Sequence, residues 1–187
     1  MGKLNMKGQA LRDYIDLSAS IIEPCIEDIY ISKRLLTDDG YSADEVDDFI
    51  SEKIRHYDSY YQGLDEDAYK ECVAEEKEKV LEHLAKPDED KFAIDPDHMP
   101  STEEIAKENL LKITRNIRQI MFMKRGMENM GVDAGDIAFA IMDYAKECDE
   151  RFAVMPEDEL DQLMFNRMLE SLLGERLDEK IDPETAA

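Results

Sequence analysis

Carboxylates dominate the chemistry this chain could perform. It has 46 Asp and Glu against 23 Lys and Arg in 187 residues, a net charge of −23. Acids spaced along facing helices can hold magnesium for nucleotide hydrolysis, since the ion takes one or two carboxylates and leaves its other positions to water and substrate phosphates. Asp44, Glu45 and Asp48 could supply half of such a site, and Asp143 and Glu147 the other half. Spacings like these also arise by chance on any helix so acidic. Asp95, Asp97 and His98 could gather a cation but sit among prolines, and Asp38-Asp39-Gly40 lacks the ligand pattern and closing Glu of a calcium loop. A di-iron bundle would need Glu-x-x-His on two helices, a motif this chain lacks. No Gly-x-Ser-x-Gly or glycine-rich phosphate loop occurs, and no histidine is placed by motif beside Cys25, Cys72 or Cys148. The reading assigns no catalytic residue, no metal and no cofactor. A metal-dependent all-α nucleotide hydrolase is the enzyme alternative.

Binding is the stronger expectation. Asp44, Asp47, Asp48 and Glu52 crowd the outward positions of one helix, and Glu71, Glu75, Glu76 and Glu78 those of the next. Such a face attracts a basic surface and repels nucleic acid and anionic membranes. The first reading of the charge itself is that the acids keep the chain soluble, with attraction to a basic partner as the second. Between Lys107 and Arg125 the sign reverses: Lys107, Lys112, Arg115, Arg118, Lys124 and Arg125 stand against the one acid Glu108. Lys112, Arg115 and Arg118, three residues apart, offer either an anion-binding groove or internal pairs with acids of the first half, such as Glu27 with Arg118. Methionine is also uneven, with Met121, Met123, Met127, Met130, Met142, Met155, Met164 and Met168 all in the second half. Methionine suits adaptable surfaces. A helix apolar nearly all round, from 160 to 173, is buried on several sides. Met164, Phe165, Met168 and Leu169 are therefore the expected interface.

The elements that must position these residues come from an internal echo. Shifted by 91 positions, Ile22, Ile26, Ile29, Lys33, Arg34, Gly40, Ala43 and Ile50 recur as Ile113, Ile117, Ile120, Lys124, Arg125, Gly131, Ala134 and Ile141. A register shared this far marks one supersecondary unit used twice. Each copy reads as three helices. The first carries the isoleucine stripe and stops at a glycine able to turn left-handed. Its Lys-Arg pair is expected in the last turn, favouring the helix dipole. The second helix starts at Ser42 with Glu45, a capping-box pattern, or at Asp133 with Asp136. Its stripes are Val46, Phe49, Ile50, Tyr57 and Tyr60, and Ile137, Ile141, Tyr144, Cys148 and Phe152. The third starts near Asp65-Glu66-Asp67 or Pro156-Glu157-Asp158. A segment from Lys7 to Ser20 extends or precedes the first helix, and Pro24 starts or kinks one.

The expected fold is all-α: two tandem three-helix repeats packed as one pseudo-symmetric helical bundle. Its parts are a first repeat with N-terminal extension (1–86), a linker (87–101), a second repeat (102–181) and a disordered tail (182–187). Each repeat alone is near the size at which a core is marginal, which favours packing the two together. Isolated odd cysteines point to reduced thiols in a cytoplasmic protein. The opening MGKLNMKGQALRDY has no apolar core of signal-peptide length, and no run approaches a membrane span. Together these lead to a non-enzymatic acidic interaction protein. It would be an inhibitor or decoy, a nucleic-acid mimic binding the basic surface of a nucleic-acid-binding protein or complex, as small acidic phage and mobile-element anti-defence proteins do. A structural or adaptor homodimer is the remaining alternative.

Overall fold

A computed structural model of the chain describes residues 2–84 and 101–166. All regular structure among the described residues is helical. The elements are α1 (Gly2–Asp38), α2 (Ala43–Gln62), α3 (Glu66–Leu84), α4 (Thr102–Asn129) and α5 (Ala134–Val154). A sixth helix, α6, occupies 157–166. Of the expected linker 87–101 all but Ser101 lies outside the described residues, as do 85–86, residues 167–181 of the expected second repeat and the tail 182–187. The chain divides into two compact units, Met1–Cys148 and Asp149–Ala187.

Helix starts follow the local chemistry read from the sequence. The Ser101 hydroxyl accepts from the Glu104 N–H at 3.3 Å while Glu104 accepts from the Ser101 N–H at 2.8 Å, a reciprocal capping box. Glu45 likewise accepts from the Ser42 N–H at 3.3 Å. Asp133 Oδ1 takes the N–H groups of Gly135 and Asp136, and Asp65 Oδ1 takes that of Ala68. Helix stops are shared too. Gly40 and Gly131 have φ of 96° and 92°. The bonds Asp39 N–H to Leu35 O, Gly40 to Thr37 and Tyr41 to Leu36 recur 91 residues on as Met130 to Gly126, Gly131 to Glu128 and Val132 to Met127.

In the first unit, α4 is the element the others gather on. It packs most extensively with α1 and next with α2. Their seam is the isoleucine stripe: Ile22, Ile26, Ile29 and Leu36 of α1 and Ile113, Ile117, Ile120 and Met127 of α4 are all buried. Val46, Ile50 and Tyr61 bury the inner face of α2. Phe122 meets Tyr61 edge-on at 5.7 Å between ring centroids and stacks on Tyr69 at 5.2 Å. The Tyr69 hydroxyl donates to the Phe122 carbonyl at 3.0 Å, tying α3 to α4. In the second unit Phe152 and Leu160 are buried.

One open alternative is resolved and two sequence expectations change. The segment before Ser20 belongs to α1, and Pro24 lies inside that helix. Pro24 and Ser20 both face solvent, so water can take the Ser20 carbonyl that proline leaves without a helical donor. Tyr61, not Tyr60, continues the α2 stripe; Tyr60 is 50% exposed. Seven then four residues, Ile50 to Tyr57 to Tyr61, stay on one helical face, whereas Tyr60 turns about 100° away. Finally, the Lys-Arg pairs are not in the last turns of α1 and α4. They sit a turn further in, where they reach other side chains and a neighbouring loop.

Candidate functional site

Most cations of the basic face of α4 have partners within the chain. Arg118 bonds Glu76 of α3 and donates from Nε to the Tyr61 hydroxyl at 3.3 Å. Its acid is thus Glu76 rather than Glu27. Glu27 instead accepts from the Tyr144 hydroxyl at 3.0 Å. Burial raises the Tyr61 phenol, which stays protonated beside the guanidinium. Lys112 reaches Asp28 of α1 at 3.6 Å, and Arg115 reaches Glu108 of its own helix at 3.3 Å. Lys124 meets Asp58 of α2 at 2.6 Å. Arg125 donates to the Leu64 carbonyl in the turn between α2 and α3. On α1, Lys33 meets Asp47 at 2.7 Å. Between α3 and α4, Arg115, Arg118, Lys77 and Gln119 line an open hollow with Glu76 inside it, so the candidate anion groove carries its own carboxylate.

The acidic faces divide accordingly. Asp47 and Glu76 are engaged with Lys33 and Arg118, and Glu52 lies 3.2 Å from Lys53. Asp44, Asp48, Glu71, Glu75 and Glu78 are exposed, with no ion pair among the described residues. Asp44 and Asp48 share one face of α2; Glu71, Glu75 and Glu78 share one face of α3. Among the described residues no three His, Cys, Asp or Glu side chains converge as a metal site would require. Asp44, Glu45 and Asp48 are thus not gathered with Asp143 and Glu147. Asp95, Asp97 and His98 lie outside the described residues. Cys25, Cys72 and Cys148 are free thiols. Burial first, then nearby Asp28, pushes the Cys25 thiol up to about 11.

One concave feature was not foreseen. α1 and α5 flank an apolar groove of about 230 Å³ whose floor includes Ile22, Ile26, Met127 and Ile137. Ala19 and Ala140 line it as small residues, and Glu23 and Asp136 are its acids. Tyr144 lines it too, held by its bond to Glu27; burial and then that bond push its phenol up to about 12. The 91-residue offset sets the groove residues against the other half of the sequence. Ala19 matches Leu110 and Ala140 matches Phe49, while the floor residues match Ile113, Ile117, Leu36 and Val46. The residues aligned with the floor are apolar in both halves, and the two alanines lining the groove align with larger side chains. The signal lay in the sequence as two large-to-small differences at shared register.

The expected interface is partly visible. Met164 and Phe165 are 38% and 51% exposed. Met168 and Leu169 lie outside the described residues. The outer face of α5 exposes Phe139 and Met142 at 71% each, where the matching α2 positions are Asp48 and Ser51. No helix among the described residues is long and apolar enough to cross a membrane. No protein-family model matches the chain, and no curated protein or solved structure matches it significantly.

Proposed function

We propose that this is a non-enzymatic acidic interaction protein that engages the basic surface of a nucleic-acid-binding protein as an inhibitor or decoy. One observation supports the reading above others. Lys112, Arg118 and Lys124 of α4 pair with Asp28, Glu76 and Asp58 of neighbouring helices, while Asp44, Asp48, Glu71, Glu75 and Glu78 face outward without counter-ions among the described residues. The surplus negative charge is thus presented rather than cancelled, and rows of carboxylates resemble a phosphate backbone in sign and exposure. Free thiols and the absence of a spanning helix among the described residues fit a cytoplasmic setting. We further propose that the shared turns and stripes reflect two tandem three-helix repeats, 1–86 and 102–181, joined by 87–101.

The test starts from a pull-down in the native host, eluted by salt. The triple variant Glu71→Lys, Glu75→Lys, Glu78→Lys should lose the partner. For the purified pair, the association rate should fall about tenfold or more between low and high salt, because steering acts through exposed charge. A flat rate, or full binding by the triple variant, overturns the proposal.

A second reading, a structural or adaptor homodimer, is favoured by the exposed Phe139 and Met142. Light scattering of the chain and of Phe139→Ser separates it from a monomer.

A further inference from the structure

The groove between α1 and α5 is independent of the acidic faces of α2 and α3, and its shape and charge say what fits it. Its floor is covered by Ile22, Ile26, Met127 and Ile137, all buried, so the space above them is apolar. At the 91-residue offset Ala19 and Ala140 align with Leu110 and Phe49, both half-buried, so the other half carries an isobutyl and a benzyl group where the groove has two methyls. There α2 packs closely on α4. The hollow therefore has room for about one aromatic and one branched aliphatic side chain; Phe49 and Leu110 stand on different helices, so they set the bulk of an occupant and not its spacing.

Its size agrees. A closed apolar cavity of roughly 150 Å³ accepts benzene, and sites for drug-sized ligands run to about 300–1,000 Å³. At about 230 Å³ and open to solvent, this groove has room for a pair of side chains and falls short of a drug-sized ligand. The acids set the occupant's charge. Glu23 and Asp136 line the groove and have no ion pair among the described residues. An apolar anchor entering between them is best followed by Lys or Arg.

We infer that the groove receives an amphipathic helical segment of a partner protein, presenting Phe and Leu one turn apart and flanked by basic residues. Helix-in-groove recognition reads such anchors at i and i+4. Tyr144, fixed by Glu27, bounds the seat on the α5 side.

The probe is a labelled synthetic helix with Phe and Leu at i and i+4 on one face and lysines on the other, followed by fluorescence anisotropy with the full chain. Binding is expected, and Ala140→Phe, which supplies the aligned residue of the other half, should weaken it at least about tenfold. Ala19→Leu should do the same, and serves if Ala140→Phe fails to fold by circular dichroism. Replacing the peptide's Phe and Leu by Ala should abolish binding, and Glu23→Gln with Asp136→Asn should weaken it and flatten its salt dependence. The Glu71→Lys, Glu75→Lys, Glu78→Lys variant should bind the peptide undiminished, so this inference and the proposed function fail separately. The inference is overturned by no binding, by equal binding to the filled variants, or by equal binding of the anchorless peptide. It is also overturned if decanoate displaces the peptide stoichiometrically, or if the chain alone dimerises and Ala140→Phe makes it monomeric. Those two results assign the groove to a small apolar ligand or to a second copy.

Discussion

Lys124→Met distinguishes two explanations of the recurring Lys-Arg pair. If Lys124 acted on the helix dipole, its charge would contribute about 0.3–1 kcal/mol. In the structure its ammonium lies 2.6 Å from Asp58 and 3.7 Å from Glu128, and the three side chains are 14%, 40% and 10% exposed. Removing one partner of a fully buried pair costs about 3–5 kcal/mol, and an exposed pair is worth about 0–1 kcal/mol. Asp58 is partly hydrated. Glu128 keeps Arg125 at 3.6 Å and the Gln62 amide at 2.5 Å. The expected loss therefore falls between the limits, near 2 kcal/mol. Methionine retains the apolar stem, so little packing is lost with the charge. With a urea slope of about 2–3 kcal/mol/M for a chain this size, the unfolding midpoint followed by circular dichroism should drop by about 0.7–1 M. Asp58→Asn added to Lys124→Met should recover about half of that, because it removes the stranded charge. A drop under about 0.25 M, or no coupling to Asp58, would refute the network reading and restore the dipole one.

Two further predictions follow from local geometry. Gly40→Ala and Gly131→Ala should each cost about 1–2 kcal/mol in the same unfolding assay: nothing lies within 4 Å of an added methyl, so left-handed strain alone is tested, and unequal costs would mean the two turns differ. Cys25, moved from 9.0 to about 11 by burial and Asp28, should hold about a hundredfold less thiolate near pH 8 than an ordinary thiol. Ellman's reagent should therefore modify it slowly in the native chain and quickly in urea, and rapid native reaction would contradict the burial.

Local signals were legible before the structure. Ser101 with Glu104, Asp133 with Asp136 and the two glycine stops act within four residues of themselves, so the sequence states them directly. The isoleucine stripe was legible because burial on one face imposes its own period. Partners were not. Arg118 meets Glu76 across 42 positions, and no spacing rule chooses Glu76 over Glu27. Phe122 lies off the stripe and acquires its role only where Tyr61 and Tyr69 reach it. The groove was missed for a different reason. At the 91-residue offset the two halves agree at its floor and differ at Ala19 and Ala140, and agreement alone does not mark a hollow.

Pro24 gives α1 a property its length conceals. A helix of 37 residues would ordinarily melt as a cooperative rod, each turn held by the one before. The missing donor at Pro24 cuts one strut of that ladder, between Ser20 and the next turn. Residues before the cut can open without dragging the buried isoleucines with them, so amide exchange before Ser20 should be faster than after Ile26. Ile15 and Ala19 of the groove lie before the cut and Ile26 lies after it. One wall of the groove thus carries the missing backbone bond while its floor is buried, so exchange that is faster before Ser20 would place the adjustable side of the groove in α1 and leave the core intact.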